Sequence, residues 1–417
     1  MAKRGTSVLI VGGGVAGLAA AHELRRRAPR TRLALLEARQ QLGGRVLTQH
    51  DPVTGEPLEL GAEFVHGEPP ELLRALRSAR IPVDRGEDDG ESSDSPFSLL
   101  PKLLTPLLAA GGPDVSMVDF LRRQALSPHR RRMLFNYVRG FYVAPPERAS
   151  ALAIARMELA AAAIHGGRAG QVVPGFGALV RWLAKSLGPD ELRLGAVATR
   201  LRWNRGRVAV CAASLAGAEL APLEADAAIV AVPFTALSAK TGLRLSPAVP
   251  SKRRAAAALR MGHASKLLLR FDGSVQTDPF FYVGGPIAVW WSAVSPGTRW
   301  LVGWAGGRGA EAVDRMTDAA VLRAGIAAVS RHTGRGRSAL ARALTGFRIA
   351  RWSREPFIGG SYAWVPVGAD GAMQVLAEPV DGTLFFAGEA TNPEHAGTVH
   401  GAFESGVRAA RQVLSRG

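Results

Sequence analysis

Three glycines and one acid set the first chemical expectation. Gly12, Gly14 and Gly17 form a Gly-x-Gly-x-x-Gly turn directly after the apolar run Ser7–Val11, and Glu37 lies 20 positions beyond the last of them. Residues of these types at this spacing hold a dinucleotide. The glycines permit a tight turn and close backbone approach to a pyrophosphate, while the acid accepts hydrogen bonds from ribose hydroxyls and repels a 2′-phosphate. Arg45 follows Gly43-Gly44 and offers a permanently charged fork suited to phosphate. A second group of chemically capable residues stands far away, in Ala387-Gly388-Glu389 and in Thr398-Val399-His400-Gly401-Ala402. Lys266 stands almost alone among apolar neighbours in 265–271. On an edge strand such a lysine points to water. In a site, its ammonium binds a water and changes its protonation with its surroundings. Only six of the 52 basic residues are lysine, so a lysine here is a marked choice.

The elements that must position these groups can be read in order. Ser7–Val11 reads as a buried parallel strand, 16–27 as a helix ended by Pro29, and Arg32–Leu36 as the next strand, closed by Glu37. The helix N-terminus offers unpaired N–H groups and a positive dipole end to phosphates. Residues 84–95 are polar and acidic and read as an exposed loop. From 99 to 164 the pattern is mostly helical, broken at Pro145-Pro146, with an Ala-rich helix over 152–164. Residues 171–179 read as a strand with a Gly-rich turn, 208–210 and 228–232 as short strands, 251–261 as a basic helix and 265–271 as a strand. The segments 282–283, 287–291 and 300–304 form an aromatic antiparallel meander, followed by a helix over 318–331. Trp290, Trp291, Trp304 and Trp364 fit a cleft wall, but at strand spacing they read more simply as core. The chain leaves the cofactor unit and returns to it twice. Residues 1–80, 172–262 and 352–417 are expected to bind the cofactor, and 81–171 and 263–351 the substrate, with a cleft where they meet.

Composition narrows the classes. At 417 residues, 47% hydrophobic and 21% charged, the chain reads as a globular protein of two domains. The net charge of +17 suggests nucleic acid or an anionic membrane. The arginines, however, are scattered over the chain rather than gathered in one arm, so no nucleic-acid partner is expected. Cys211 is the only cysteine, which excludes an intrachain disulfide and suits a reducing compartment. No run of 18 apolar residues and no signal-peptide pattern occurs, so no membrane association and a cytoplasmic location are expected. No metal is expected, and the oligomeric state is not readable.

Taken together, these segments resemble the flavin-containing amine oxidase family, which includes monoamine oxidases, polyamine oxidases, histone lysine demethylases and some L-amino-acid oxidases. The resemblance rests on Leu35-Leu-Glu-Ala-Arg39, Leu42-Gly-Gly-Arg45, the stretch from Glu59 to Gly67, the stretch from Ala227 to Pro233, Phe386-Ala-Gly-Glu389 and Thr398-Val-His-Gly-Ala402. It implies an α/β fold: an FAD-binding Rossmann-type domain of glutathione-reductase-like topology with a discontinuous α+β substrate-binding domain. It implies that Gly12, Gly14 and Gly17 hold the pyrophosphate and Glu37 the adenosine ribose, with Arg39, Gly44 and Arg45 beside the phosphates. Gly61, Ala62 and Glu63 pass under the flavin ring, Val197 meets the adenine, and Gly388 and Glu389 anchor the ribityl and phosphate part. Thr398, Val399 and Ala402 bring the start of the last helix to the flavin. Lys266 holds a water against flavin N5, and Tyr362 and Thr398 occupy the two walls of the substrate cage.

The departures from the family pattern matter as much. Where monoamine oxidases attach the flavin to a cysteine, this chain has Ser361 in Gly359-Gly-Ser-Tyr362, so non-covalent FAD is implied. Thr398 replaces the second aromatic wall and leaves the cage half open. His66 stands where plant polyamine oxidases carry a glutamate, which weakens a polyamine substrate. The implied reaction takes hydride from the α-carbon of a small-molecule amine to flavin N5. It yields an imine and then an aldehyde or ketone, while O2 becomes hydrogen peroxide. The alternatives are an L-amino-acid oxidase, which needs an arginine clamp on a carboxylate, and an FAD-dependent desaturase or dehydrogenase of a lipid-like substrate.

Overall fold

Ser7–Val11 is buried at every position and pairs in parallel on both sides, with Arg32–Leu36 and with Ala227–Val230. Leu384–Phe386 extends the sheet beyond Ala227–Val230, and Leu192–Arg193 closes its far edge. Strands covered on both faces need apolar residues throughout, and the runs Val8-Leu-Ile-Val and Ala227-Ala-Ile-Val supply them. This computed structural model describes residues 6–85, 95–239, 242–293 and 300–416. Most of the acidic stretch expected as a loop, residues 86–94, lies outside the described residues.

The first helix, Val15–Arg27, starts one residue earlier than expected and carries Arg25, Arg26 and Arg27 in its last turn, where cations suit the dipole. It packs against the last helix, Val399–Ser415, along an alanine-rich seam. Two glycines make the contacts possible. A Cβ on Gly17 would lie 2.0 Å from the carbonyl of Gly12, and one on Gly406 would lie 2.1 Å from the carbonyl of Ala16. The two ends of the chain are therefore neighbours in space.

A second five-stranded sheet is antiparallel, in the order Phe280–Tyr282, Val289–Ser292, Trp300–Gly306, Ala264–Phe271, Leu344–Arg351. The expected aromatic meander is its first three strands. Ala264–Phe271 is an interior strand, so the edge-strand reading of Lys266 fails: Trp304 and Ala350 flank that residue on either side. The basic helix ends earlier than expected, at Pro250–Ala258, because Arg260 and Met261 turn to pair with Trp364 and Ala363. Four helices, Pro96–Ala110, Met117–Arg122, Pro128–Phe141 and Ala151–Ala163, cover the remaining side, and each starts at a serine that caps it. Among the described residues no helix is long and apolar enough to cross a membrane.

Candidate active site

One cavity of about 1920 Å³ runs from the glycine turn at Gly12 and Gly14 to the aromatic faces of Trp291, Trp304 and Tyr362. It is large enough for a dinucleotide and a substrate together. Every residue expected in the site lines it except Gly17. That glycine lies inside the helix, where a Cβ would meet the Gly12 carbonyl, so it lets helix, turn and strand pack closely.

At one end the carboxylates are held by backbone. Glu37 is buried, and it accepts from Gly13 N at 2.7 Å and from Arg39 N at 2.9 Å. The Arg39 guanidinium donates to Gly44 O and pairs with Glu355 at 3.0 Å. Arg45 Nη1 donates to Glu389 Oε1 at 2.8 Å and to the Ser361 carbonyl at 2.7 Å. Glu389 also accepts from the backbone N–H groups of Ala363 and Gly397. Residues 45, 363 and 397 thus meet at the Glu389 carboxylate. Val197, Gly61, Ala62 and Gly388 complete the lining here.

At the other end the cavity is aromatic, with two buried charges in its wall. Lys266, 3% exposed, donates to Glu63 Oε2 at 2.7 Å and to the carbonyl of Glu59 at 3.0 Å. Glu63 also accepts from Gln171 Nε2 at 2.7 Å and from Trp291 Nε1 at 2.8 Å. Gly262 N donates to Tyr362 O, and Ser361 N donates to Gly262 O, which fixes the start of the lysine strand against the Ser361–Tyr362 segment. The Tyr362 hydroxyl donates to the Phe141 carbonyl, and burial raises its pKa above the ordinary phenol range. Thr398 lines the cavity, yet its hydroxyl caps the last helix by accepting from Gly401 N at 2.9 Å. Its side chain therefore belongs to the cap as much as to the cage.

The two donor sets fit a flavin dinucleotide. The Ser361 hydroxyl is buried on the cavity wall and has no hydrogen-bond partner among the described residues. The N–H groups of Val399 and His400, in the first turn of the last helix, likewise find no acceptor there. Such groups suit a ligand rich in carbonyl, ring-nitrogen and phosphate acceptors.

Several residues of the cavity escaped the sequence reading. Glu158, 5% exposed, accepts from the Tyr142 hydroxyl at 2.7 Å beside Tyr137 and Phe141. The one available signal is that it is the only acid between 152 and 164. Gln171, Trp291 and Glu355 were missed as partners because their contacts are long-range. Of the four tryptophans, Trp291 and Trp304 line the cavity, whereas Trp290 and Trp364 are core.

His66, His395 and His400 line the cavity together. Burial, with its imidazole neighbours, pushes His400 down to about 3 from 6.5. The folded chain holds it neutral while the unfolded chain binds a proton below 6.5, so stability should fall as pH drops from 6.5 toward 3. Thermal melts between pH 7 and 4 check this. His400→Gln should flatten the fall, and an identical slope in the variant would remove His400 as its source.

Fold and site together define a dinucleotide-dependent protein with an aromatic-lined cavity. Residues 98–414 match the family model described as flavin containing amine oxidoreductase, and 10–79 match an NAD(P)-binding Rossmann-like domain. The chain is 27% identical to polyamine oxidase 3 of Oryza sativa subsp. japonica, across 98% of this chain and 89% of that protein. Cyclohexylamine oxidase from Brevibacterium oxydans superposes with a TM-score of 0.82 at 19% identity, covering 98% of each chain. Putrescine oxidase bound to putrescine superposes with a TM-score of 0.81 at 20% identity, covering 99% of each. The chain belongs to the flavin-containing amine oxidoreductase family. It is an oxidoreductase that acts on amine donors, its cofactor is FAD, and the Rossmann-type fold expected from the sequence holds. The desaturase alternative falls with that assignment.

Proposed function

We propose that this chain oxidises an amine with an apolar body, using non-covalent FAD, to an imine that water converts to an aldehyde or ketone, with O2 reduced to hydrogen peroxide. The observation that carries the reading is Lys266, a buried ammonium on an interior strand in the wall of an aromatic cavity. When bound, the flavin accepts the two electrons of amine oxidation and passes them to oxygen. Lys266 supplies a fixed positive charge and one water-binding N–H to the reaction chamber. Tyr362, Trp304 and Phe141 exclude water and stack on an apolar amine. Glu158 holds the Tyr142 hydroxyl in the same cavity. Glu37, Arg45 and Glu389 orient the dinucleotide, and Thr398, Val399 and Ala402 bring the last helix's N-terminus to its ring. In this reading 1–80, 172–262 and 352–417 form the cofactor unit and 81–171 and 263–351 the substrate unit.

An amine is favoured over an amino acid. Among the described residues, the arginines lining the cavity are Arg39 and Arg45, both paired with acids at the cofactor end, and the exposed Arg168. The two at the cofactor end are committed to acids, and Arg168 is exposed rather than buried in the aromatic wall. A peroxide-release screen of monoamines, diamines, polyamines and L-amino acids tests this. Peroxide with amines is expected, and turnover confined to amino acids overturns the reading. The sole cysteine suits a cytoplasmic enzyme.

The attachment has its own test. Ser361 cannot form a thioether, and Cys211, the only cysteine, does not line the cavity. Acid or heat should release the flavin into the supernatant, whereas yellow colour retained in the pellet would refute the non-covalent reading. Glu37→Ala should lower flavin occupancy, read as the visible-to-ultraviolet absorbance ratio. The lost hydrogen bonds to a charged group are worth about 1.5–3 kcal/mol.

A further inference from the structure

A cavity that produces aldehydes and has a lysine in its wall poses a chemical problem. A neutral lysine amine attacks an aldehyde carbonyl. The nitrogen lone pair forms a carbon–nitrogen double bond, the carbonyl oxygen leaves as water, and the lysine is blocked. A protonated lysine has no lone pair and cannot attack. Burial drives a lysine toward the neutral form unless an opposite charge stands beside it. The wall around Lys266 is apolar on most sides: Leu267 and Leu268 follow it in the strand, and the indole rings of Trp291 and Trp304 lie beside it. The exceptions are two carboxylates: Glu63, at 2.7 Å and itself 7% exposed, and Glu59, which lies farther off within electrostatic reach of the lysine.

Glu63 is held in place by three donors. One oxygen accepts from Lys266, and the other from both Gln171 Nε2 and Trp291 Nε1. Three separate chain segments thus converge to hold a carboxylate against one lysine, and the Glu59 carbonyl fills a second position on the ammonium.

We propose that Glu63 is a positioning residue that holds the Lys266 nitrogen in a buried ion pair and so protects it from condensation with the aldehyde product formed in the same cavity. This rests on the amine-oxidase reading for the origin of the aldehyde. The test does not, because the aldehyde is added directly.

The purified flavoprotein is incubated with benzaldehyde and sodium cyanoborohydride at neutral pH, digested, and each lysine peptide scored for benzylation by mass spectrometry. In the wild type, exposed Lys102 and Lys185 should be labelled and Lys266 spared. In Glu63→Gln, which keeps the shape and removes the charge, labelling of Lys266 should rise at least tenfold. In Glu63→Asp, which keeps the charge, Lys266 should stay protected. Equal labelling of Lys266 in wild type and Glu63→Gln, or labelling of the wild-type Lys266 at the level of the exposed lysines, overturns the proposal. If Glu63→Gln does not fold, Gln171→Leu, which removes a donor that holds the carboxylate in place, takes its part: raised labelling of Lys266 supports the proposal, and labelling unchanged from the wild type overturns it. Failure here leaves the amine reading intact, and failure of the amine screen leaves the labelling readable.

Discussion

Lys266→Met should keep its flavin and slow flavin reoxidation by oxygen about a hundredfold, equivalent to about 2.7 kcal/mol of barrier. A fixed positive charge in a dry chamber stabilises developing negative charge far better than water does, and removing one such donor costs about 10²–10³ in rate. Lysine has three N–H donors. Glu63 and the Glu59 carbonyl take two of them, which leaves one uncommitted among the described residues. Methionine preserves the length and supplies none. Stopped-flow traces separate reduction by amine from reoxidation by oxygen. If both rates stay within about twofold of wild type, Lys266 has no catalytic part. Because the variant also leaves Glu63 without its partner charge, a melt must accompany the kinetics, so that lost stability is not read as lost chemistry.

Glu389→Ala should cost about 1–3 kcal/mol of stability and most of the bound flavin, because it removes the buried member of a half-buried pair and leaves its donors without an acceptor. Arg45 loses its acid, and the N–H groups of Ala363 and Gly397 lose their acceptor. Glu389→Gln keeps an acceptor oxygen and should fall between wild type and Ala. Denaturant midpoints give the stability, and the visible-to-ultraviolet absorbance ratio gives the flavin. Unchanged values in Glu389→Ala would mean that Arg45 and the two N–H groups are satisfied by water, and that the site is organised elsewhere.

Much of this molecule was legible before its structure was seen, for a definite reason. The glycine turn, the strands Ser7–Val11 and Arg32–Leu36 and the acid Glu37 are local features, each dictated by residues within about 30 positions. They appear where the pattern puts them. Boundaries slipped where tertiary pairing took over, as when Arg260 and Met261 left their helix to pair with Ala363 and Trp364. The partners of the charged groups were not legible at all. Glu63 meets Trp291 across 228 positions, and Arg45 meets Glu389 across 344. No periodicity carries that information. Glu158 was hidden differently: one acid in an alanine-rich helix looks like a solubilising residue until the fold turns it inward beside Tyr142.

The adjacency of the two chain ends bears on how the protein is made. The parallel sheet receives Leu384–Phe386 as its outer strand, and the helix Val399–Ser415 then packs onto Val15–Arg27. During translation, the glycine turn emerges first and waits for almost the whole polypeptide before Glu389 and the last helix reach it. Cofactor capture that needs both halves therefore waits on residues some 370 positions downstream of the glycine turn. A premature stop anywhere before residue 384 leaves the fingerprint intact in the message and useless in the product.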